Sequence, residues 1–392
     1  GPLGVREVGD REPEGEAYRR PARAEVEAAE AEGRAVTRLP NPTFAWDHEH
    51  AWEPGGAIGE DFFALEQSIG VTGRRSARRR AAESETTSVR RTQRWREIQL
   101  GWGVRRRFRR LQALRREVDA VGGWVERLES AAETLRTRAE AGEASRRSVH
   151  ELEADLAGAR AERDSLRADF RRRRGQLFAD IGLAGEEERW RIAPLESLRP
   201  SVPGFETIGE RIDERPDLRA LEARISAAEA RLTAERRGWL GPLSLRGGYK
   251  RLAAPGAISH GFLAGVTVPL PIFDRNRAQI EAAEARRNGL KARRDLERQR
   301  LRGYLRVDYH DWKSRRRIAR RFRQNGVGAA EALVDQVEEG YRRGRAVLAE
   351  VLESRQRLLG AERRLIELEM AAVSARIRLQ SRAGVPPRVA DE

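Results

Sequence analysis

Thr43-Phe-Ala-Trp-Asp-His-Glu-His-Ala-Trp52 and Leu243-Ser-Leu-Arg-Gly-Gly-Tyr-Lys-Arg-Leu252 decide how this chain is read. Phe44, Trp46, His48, His50 and Trp52 alternate with other residues, the period-two pattern of a strand with one distinctive face. A second strand-like segment follows each, Asp61–Val71 and Gly261–Ile272, the latter alternating through Phe262, Ala264, Val266 and Val268. Proline breakers precede each pair, Leu39-Pro-Asn-Pro42 and Trp239-Leu-Gly-Pro242, and a long helical pattern follows each.

That recurrence is an internal repeat. Shifted by 202 positions, Gly142, Val149, Glu151, Leu156 and Ala159 meet Gly344, Val351, Glu353, Leu358 and Ala361. The strand pairs superpose at an offset near 201, which sets Gly73-Arg74 against Asp274-Arg275. Each half therefore reads short helix, strand, strand, long helix, tight turn, returning helix. The expected organisation is a disordered segment 1–16, a first repeat 17–181, a linker 182–215 carrying Pro194, Pro200 and Pro203, a second repeat 216–384 and a tail 385–392.

Around these strands the composition is that of long helices, rich in Ala, Glu, Arg and Leu. No proline interrupts Arg74–Arg138, where 65 residues would span ~98 Å, or Asp274–Arg343, where 70 residues would span ~105 Å. The returning helices Ser145–Ile181 and Val347–Arg382 are shorter, and Ala17–Arg38 and Pro216–Gly238 complete their length if stacked on them. In the last helix Val351, Leu358, Leu365 and Ala372 form one heptad seam and Leu352, Leu359, Ile366 and Val373 a second, about 100° away. Two seams let a helix touch a neighbour on each side, as in a closed ring. Gly101-Trp-Gly103 and Asn325-Gly-Val-Gly328 are expected to loosen the long helices.

Several functions are excluded. The 392 residues include no cysteine, so disulfides, thiol nucleophiles and cysteine-ligated metals are ruled out. No uncharged stretch reaches the ~18–20 apolar residues of a membrane-crossing helix. The first residues lack the apolar region of an export signal, and Gly1-Pro2-Leu3-Gly4 reads as a cloning remnant or the edge of a fragment. Five scattered histidines (His48, His50, His150, His260, His310) give no catalytic constellation, and His48 and His50 alone fall short of the ligands a zinc site requires. No cofactor or metal is expected, and no enzymatic activity.

Taken together, certain strings resemble the TolC family of outer-membrane efflux channels, in particular its heavy-metal branch. They are Leu39-Pro-Asn-Pro-Thr43, Arg215-Pro-Asp-Leu-Arg-Ala-Leu-Glu-Ala-Arg224, Ala264-Gly-Val-Thr-Val-Pro-Leu-Pro-Ile-Phe-Asp-Arg-Asn-Arg277 and Tyr341-Arg-Arg-Gly-Arg-Ala-Val-Leu-Ala-Glu-Val-Leu-Glu353. The resemblance implies a mainly α fold with a small β part. Long antiparallel hairpins would form an α-barrel in the periplasm, and four strands per protomer would enter a trimeric twelve-stranded β-barrel in the outer membrane. Elementary physics agrees, because four strands in one chain leave open edges that lipid cannot satisfy.

The resemblance also implies roles. The protein would be a passive exit duct for metal cations or small toxic compounds, partnered by a periplasmic adaptor and an inner-membrane transporter. The turns Gly142-Glu143-Ala144-Ser145 and Gly344-Arg345-Ala346-Val347 would meet the adaptor, and Glu350, Glu353 and Glu151 would line an acidic entrance. Trp46, Trp52, Phe62, Phe63 and Tyr249 would supply a membrane-interface girdle. A rival reading rests on charge. The net +15 comes from 77 basic against 62 acidic residues, nearly all of the basic ones arginine, and suits a soluble coiled coil that binds nucleic acid or acts as a scaffold. Acidic residues interleave almost everywhere, however, and few aromatics sit among the arginine runs to stack bases.

Overall fold

The structure is a computed structural model that describes residues 2–3, 16–54, 56–193 and 204–387. The segment 1–16 and the tail 385–392 fall mostly outside these residues, as do Pro194, Pro200 and Pro203. The backbone of Pro2–Leu3 pairs in parallel with Arg191–Ile192.

In chain order the elements are α1 (Glu16–Thr37), β1 (Thr43–Glu53), β2 (Gly56–Ile69), α2 (Arg74–Glu140) and α3 (Arg146–Asp180). There follow α4 (Phe205–Glu210), α5 (Pro216–Arg236), β3 (Leu243–Ala254), β4 (Ala257–Thr267) and α6 (Arg277–Phe322). One π-turn, Arg323–Val327, leads into α7 (Gly328–Arg342), and α8 (Leu348–Arg382) closes the chain. No described helix is long and apolar enough to cross a membrane.

The strands form one antiparallel sheet in the order β1-β2-β3-β4. β2 and β4 begin and end earlier than alternation predicts. Glu53 pairs with Gly56 and Ala254 with Ala257, so both ladders start ahead of the expected strands and take in polar residues such as Glu60 and His260. At the far end of β4, Pro269 and Pro271 lack the N–H that a ladder needs. The two hairpins share one register: Trp46↔Phe63 and His48↔Asp61 become Gly247↔Ala264 and Tyr249↔Phe262 when 201 is added.

The chain divides into two compact units, Pro21–Gln93 with Pro216–Glu297, and Gly1–Arg20 with Arg94–Arg215 and Arg298–Glu392. In the unit holding the sheet, α5 buries Leu218, Leu221, Ile225, Ala228 and Leu232, and its Arg224 donates to Ser88 Oγ of α2 at 3.2 Å. Each long helix is entered through a left-handed residue, Gly73 (φ 72°) before α2 and Asn276 (φ 63°) before α6. The structural counterpart of Gly73 is thus Asn276, two positions beyond the Asp274 that sequence alignment gave. Asparagine tolerates this region, and its Nδ2 donates to the backbone oxygen (2.7 Å) and carboxylate (2.9 Å) of Glu235. The same carboxylate accepts from Arg74 at 2.7 Å.

The second unit has separate apolar cores. Val104, Phe108 and Leu111 of α2 pack with Leu177 and Phe178 of α3. Further along, Trp124, Val125, Leu128 and Ala132 pack with Leu152, Leu156 and Ala159, and Leu348, Leu352 and Leu359 of α8 lie against them. Around Gly101-Trp-Gly103 the helix runs unbroken, contrary to expectation. Trp102 is buried with its Nε1 donating to the Val385 carbonyl at 2.8 Å, and a Cβ at Gly101 would come within 2.7 Å of Pro387. Asn325-Gly-Val-Gly328 does depart from α geometry, since it contains most of the π-turn.

Candidate channel sheet and hairpin turns

Alternation along the paired strands gives the sheet two unlike faces. One bears an aromatic row in register across all four strands, Trp46↔Phe63↔Tyr249↔Phe262. Ring centroids are 6.3 Å apart for Trp46–Phe63, 6.4 Å for Phe63–Tyr249 and 5.7 Å for Tyr249–Phe262. Phe44, Leu65, Leu245 and Val266 extend this face toward the helices, and Trp52 extends it toward the turn. Beyond β4, Leu270, Ile272 and Phe273 are also exposed.

Phe62, which the sequence grouped with the girdle, lies on the opposite face. It sits over Gly248, where a Cβ would come within 2.7 Å of its ring, and beneath the Arg246 guanidinium at 4.9 Å. That face also carries the small and charged groups Ala45, Ala64, Glu60 and Lys250, together with Leu252 and Leu263. Phe262 was absent from the expected girdle, although its alternation was visible in sequence.

Both hairpin turns have one backbone geometry. In the first, the Glu143 N–H donates to the Arg138 carbonyl (2.8 Å) and the Gly142 N–H to that of Ala139 (3.1 Å), with Gly142 at φ 80°. In the second, Arg345 donates to Gly340 (2.8 Å) and Gly344 to Tyr341 (2.9 Å), with Gly344 at φ 70°. This pattern ends a helix through a left-handed glycine. Ala144 and Ala346 are half-buried, while Glu143, Ser145, Arg345 and Val347 are exposed.

The three carboxylates expected at the entrance are engaged locally. Glu350 accepts from the Val347 N–H at 2.9 Å and so caps α8. Glu151 pairs with Arg147 at 2.8 Å, and Glu353 with Arg357 at 2.7 Å, both pairs exposed. The Glu151 hydrogen bond raises the Arg147 pKa. These contacts bring no two of the three carboxylates together within the chain.

Sequence reading missed the ionic ties between helices. Glu369 of α8 is buried, 3 % exposed, and accepts from Arg116 of α2 at 2.6 Å and from Arg323 at the head of the π-turn. One step along, Arg363 donates to Glu117 of α2 (2.9 Å) and to Glu162 of α3 (2.6 Å). Burial works against the Arg363 charge, the two carboxylates outweigh it, and its pKa is raised. Near the end of α8, Arg382 binds Asp308 at 2.6 Å. Burial raises the Asp308 pKa despite Arg382 and Arg378. Arg215, first residue of one quoted string, stacks on Trp95 at 4.4 Å and donates to the Arg382 carbonyl. Among the described residues no group of His, Asp and Glu is arranged to hold a metal ion.

An open four-stranded sheet followed by long helical hairpins is a fold shared with solved outer-membrane channels. The solved structure of the outer-membrane channel OprN shares this fold with a TM-score of 0.78, covering 98 % of this chain and 90 % of that one at 18 % identity. That of CusC, described in terms of transmembrane channel formation, gives 0.75 over 97 % and 92 % at 15 % identity. Residues 207–385 match the outer membrane efflux protein family. A nickel-cobalt-cadmium resistance protein, NccC of Alcaligenes xylosoxydans xylosoxydans, is 32 % identical over 102 residues, which is 26 % of this chain. That match spans 23 % of the length of NccC.

Proposed function

We propose that this chain is the outer-membrane component of a tripartite efflux system, a passive exit duct across the periplasm and outer membrane. It assembles as a homotrimer in which each copy supplies four strands to a twelve-stranded barrel and its hairpins to a periplasmic tunnel. The observation that carries this reading is the four-stranded sheet, whose outer strands β1 and β4 each have a free edge and whose one face is apolar and aromatic. A sheet with free edges is unstable in lipid, and closure with further copies satisfies every backbone group. Strands of 11 to 14 residues also meet the ~9–11 that a tilted transmembrane strand requires.

Within this reading the units of duplication are residues 17–181 and 216–384, joined by 182–215, and the shared hairpin register supports that division. Small and charged residues face the lumen. Trp46, Trp52, Phe63 and Tyr249 face lipid together with Phe262. The turns at 142–145 and 344–347 are the periplasmic tip that docks an adaptor, and an inner-membrane transporter supplies the energy. Glu151, Glu350 and Glu353 are repeated by the threefold axis at the entrance, Glu151 and Glu353 each neutralised in part by an arginine and Glu350 engaged by the Val347 N–H. Metal cations are the favoured cargo, because a nickel, cobalt and cadmium resistance protein is among the relatives.

The test is mass and conductance. Purified protein in detergent should migrate as a trimer and open discrete conductances in a planar bilayer. Replacing Glu350 and Glu353 together by Gln should change selectivity or gating. A monomer that stays in the aqueous phase without detergent would overturn the duct.

A further inference from the structure

Directly beside the aromatic row, one step toward the hairpin turns, lies a second in-register row of different chemistry: His48↔Asp61↔Arg251↔His260. It stands on the same, largely apolar face, which also carries His50 and Gln67, because each member is two residues from its aromatic neighbour. Asp61 is already occupied, since one of its oxygens lies 2.9 Å from His48 Nδ1 and accepts from Trp46 Nε1 at 3.3 Å. His260 is held by the Tyr249 hydroxyl. Arg251 is held only by a long ion pair. Its guanidinium stands 3.8 Å from the other Asp61 oxygen, beyond hydrogen-bond reach, and its side chain is 47 % exposed.

Four polar groups on a lipid-facing surface need a reason. A charged side chain on the outer wall of a barrel is costly at the bilayer midplane and tolerated near the interface. Arg251 and His260 lie three residues from the ends of β3 and β4 at the turn that joins them, near the rim of the sheet away from the helices. The charged row therefore lies at headgroup level in the outer leaflet. There Arg251 presents a planar set of N–H donors suited to phosphate oxygens, with an imidazole on either strand edge of the row. The row carries one carboxylate against one guanidinium and two imidazoles, so any imidazole protonation makes it net positive.

We infer that this row is a phosphate-holding site for a lipid with a phosphomonoester headgroup, with Arg251 the principal donor and His48 and His260 flanking it. The inference rests on the outer-membrane reading above. Edge closure in a trimer leaves this face uncovered, so the assembled protein carries the site once per protomer.

Full-length trimer in nanodiscs, doped with diphosphoryl lipid A or with its dephosphorylated form, tests this by native mass spectrometry of retained lipid. Wild type should retain the phosphorylated lipid preferentially, and Arg251→Gln should lower retention about tenfold. Arg251→Lys should keep part of it, and Lys250→Gln, on the opposite face, should leave it unchanged. Equal retention of both lipids, or an Arg251→Gln variant matching wild type, would overturn the site while trimer and conductance stood. Displacement by inorganic phosphate without preference for the lipid would overturn the lipid as occupant. Failure of the wild-type protein to enter nanodiscs would instead remove the duct reading itself, and this site with it.

Discussion

The two halves of the chain share an order of elements and a hairpin register, yet they tie their returning helices down differently. In α3 the position 202 residues before Glu369 is Arg167, an exposed side chain 3.8 Å from Asp164. In α8 the same position is a buried carboxylate clamped between two guanidinium groups. The position 202 before Arg323 is Val121, buried in unbroken α helix. Duplication thus preserved the backbone plan and left the ionic assignments to diverge. α8 became the helix that others attach to.

Breaking the node should have the largest effect. Glu369→Ala removes the carboxylate shared by Arg116 and Arg323, which are 31 % and 47 % exposed and stay partly hydrated, at a cost of about 1–3 kcal/mol. The thermal midpoint of the protein should fall markedly, whereas Arg167→Ala, its counterpart, should shift stability by no more than about 0.5 kcal/mol. The two helix entries come next. Asn276→Ala loses both contacts to Glu235 and places a Cβ residue without side-chain support in the left-handed region, at a cost of about 1–2 kcal/mol by denaturation. Gly73→Ala meets the same backbone constraint with Arg237 Nη1 3.0 Å from the new Cβ, and should cost a similar amount.

The turns sharpen the comparison further. Ser145 caps α3 by accepting from the Ser148 N–H at 3.1 Å, while Glu350 caps α8 from the reciprocal position. Ser145→Ala should cost about 1 kcal/mol, read as faster hydrogen exchange in the first turn of α3. Val347→Ala should leave α8 unchanged, Glu350→Ala should fray it, and Glu350→Gln should keep the cap.

The smallest effect concerns pH, with opposite signs in the two halves. The Arg136 hydrogen bond, first among its causes, lowers the pKa of Glu153 in α3. Its contribution is present above the usual carboxylate range and lost as pH falls through the lowered pKa, since the unfolded chain takes up that proton first. Asp308 in α6 has a raised pKa, so its contribution is whole below that range and declines as pH rises through the folded value. Melting curves from mildly acidic to neutral pH should lose the falling slope in Asp308→Asn. Curves at lower pH should lose the rising slope in Glu153→Gln.

The long helices, the alternation in β1 and β4 and the repeat were legible because each is a local pattern. Both turn glycines were legible for the same reason. The beginnings of β2 and β4 were not, because the ladders extend through Glu60, Ser259 and His260, where no apolar alternation advertises a strand. Phe62 and Phe63 are adjacent in sequence, so one of them had to leave the girdle, and composition cannot say which. The counterpart of Gly73 was displaced because a left-handed residue can be Asn as well as Gly. The Glu369 and Arg363 ties join positions up to 253 residues apart, in a chain where nearly every helix face offers arginine and glutamate. Only three-dimensional placement selects the partners.

The shared register of the two hairpins bears on how readily such a molecule assembles. In the twelve-stranded ring proposed above, a half-length chain bearing one hairpin would need six separate copies to close. Two hairpins in one chain make the middle seam intramolecular and lower the order of that association equilibrium from six to three. A ring of that kind then closes at far greater dilution.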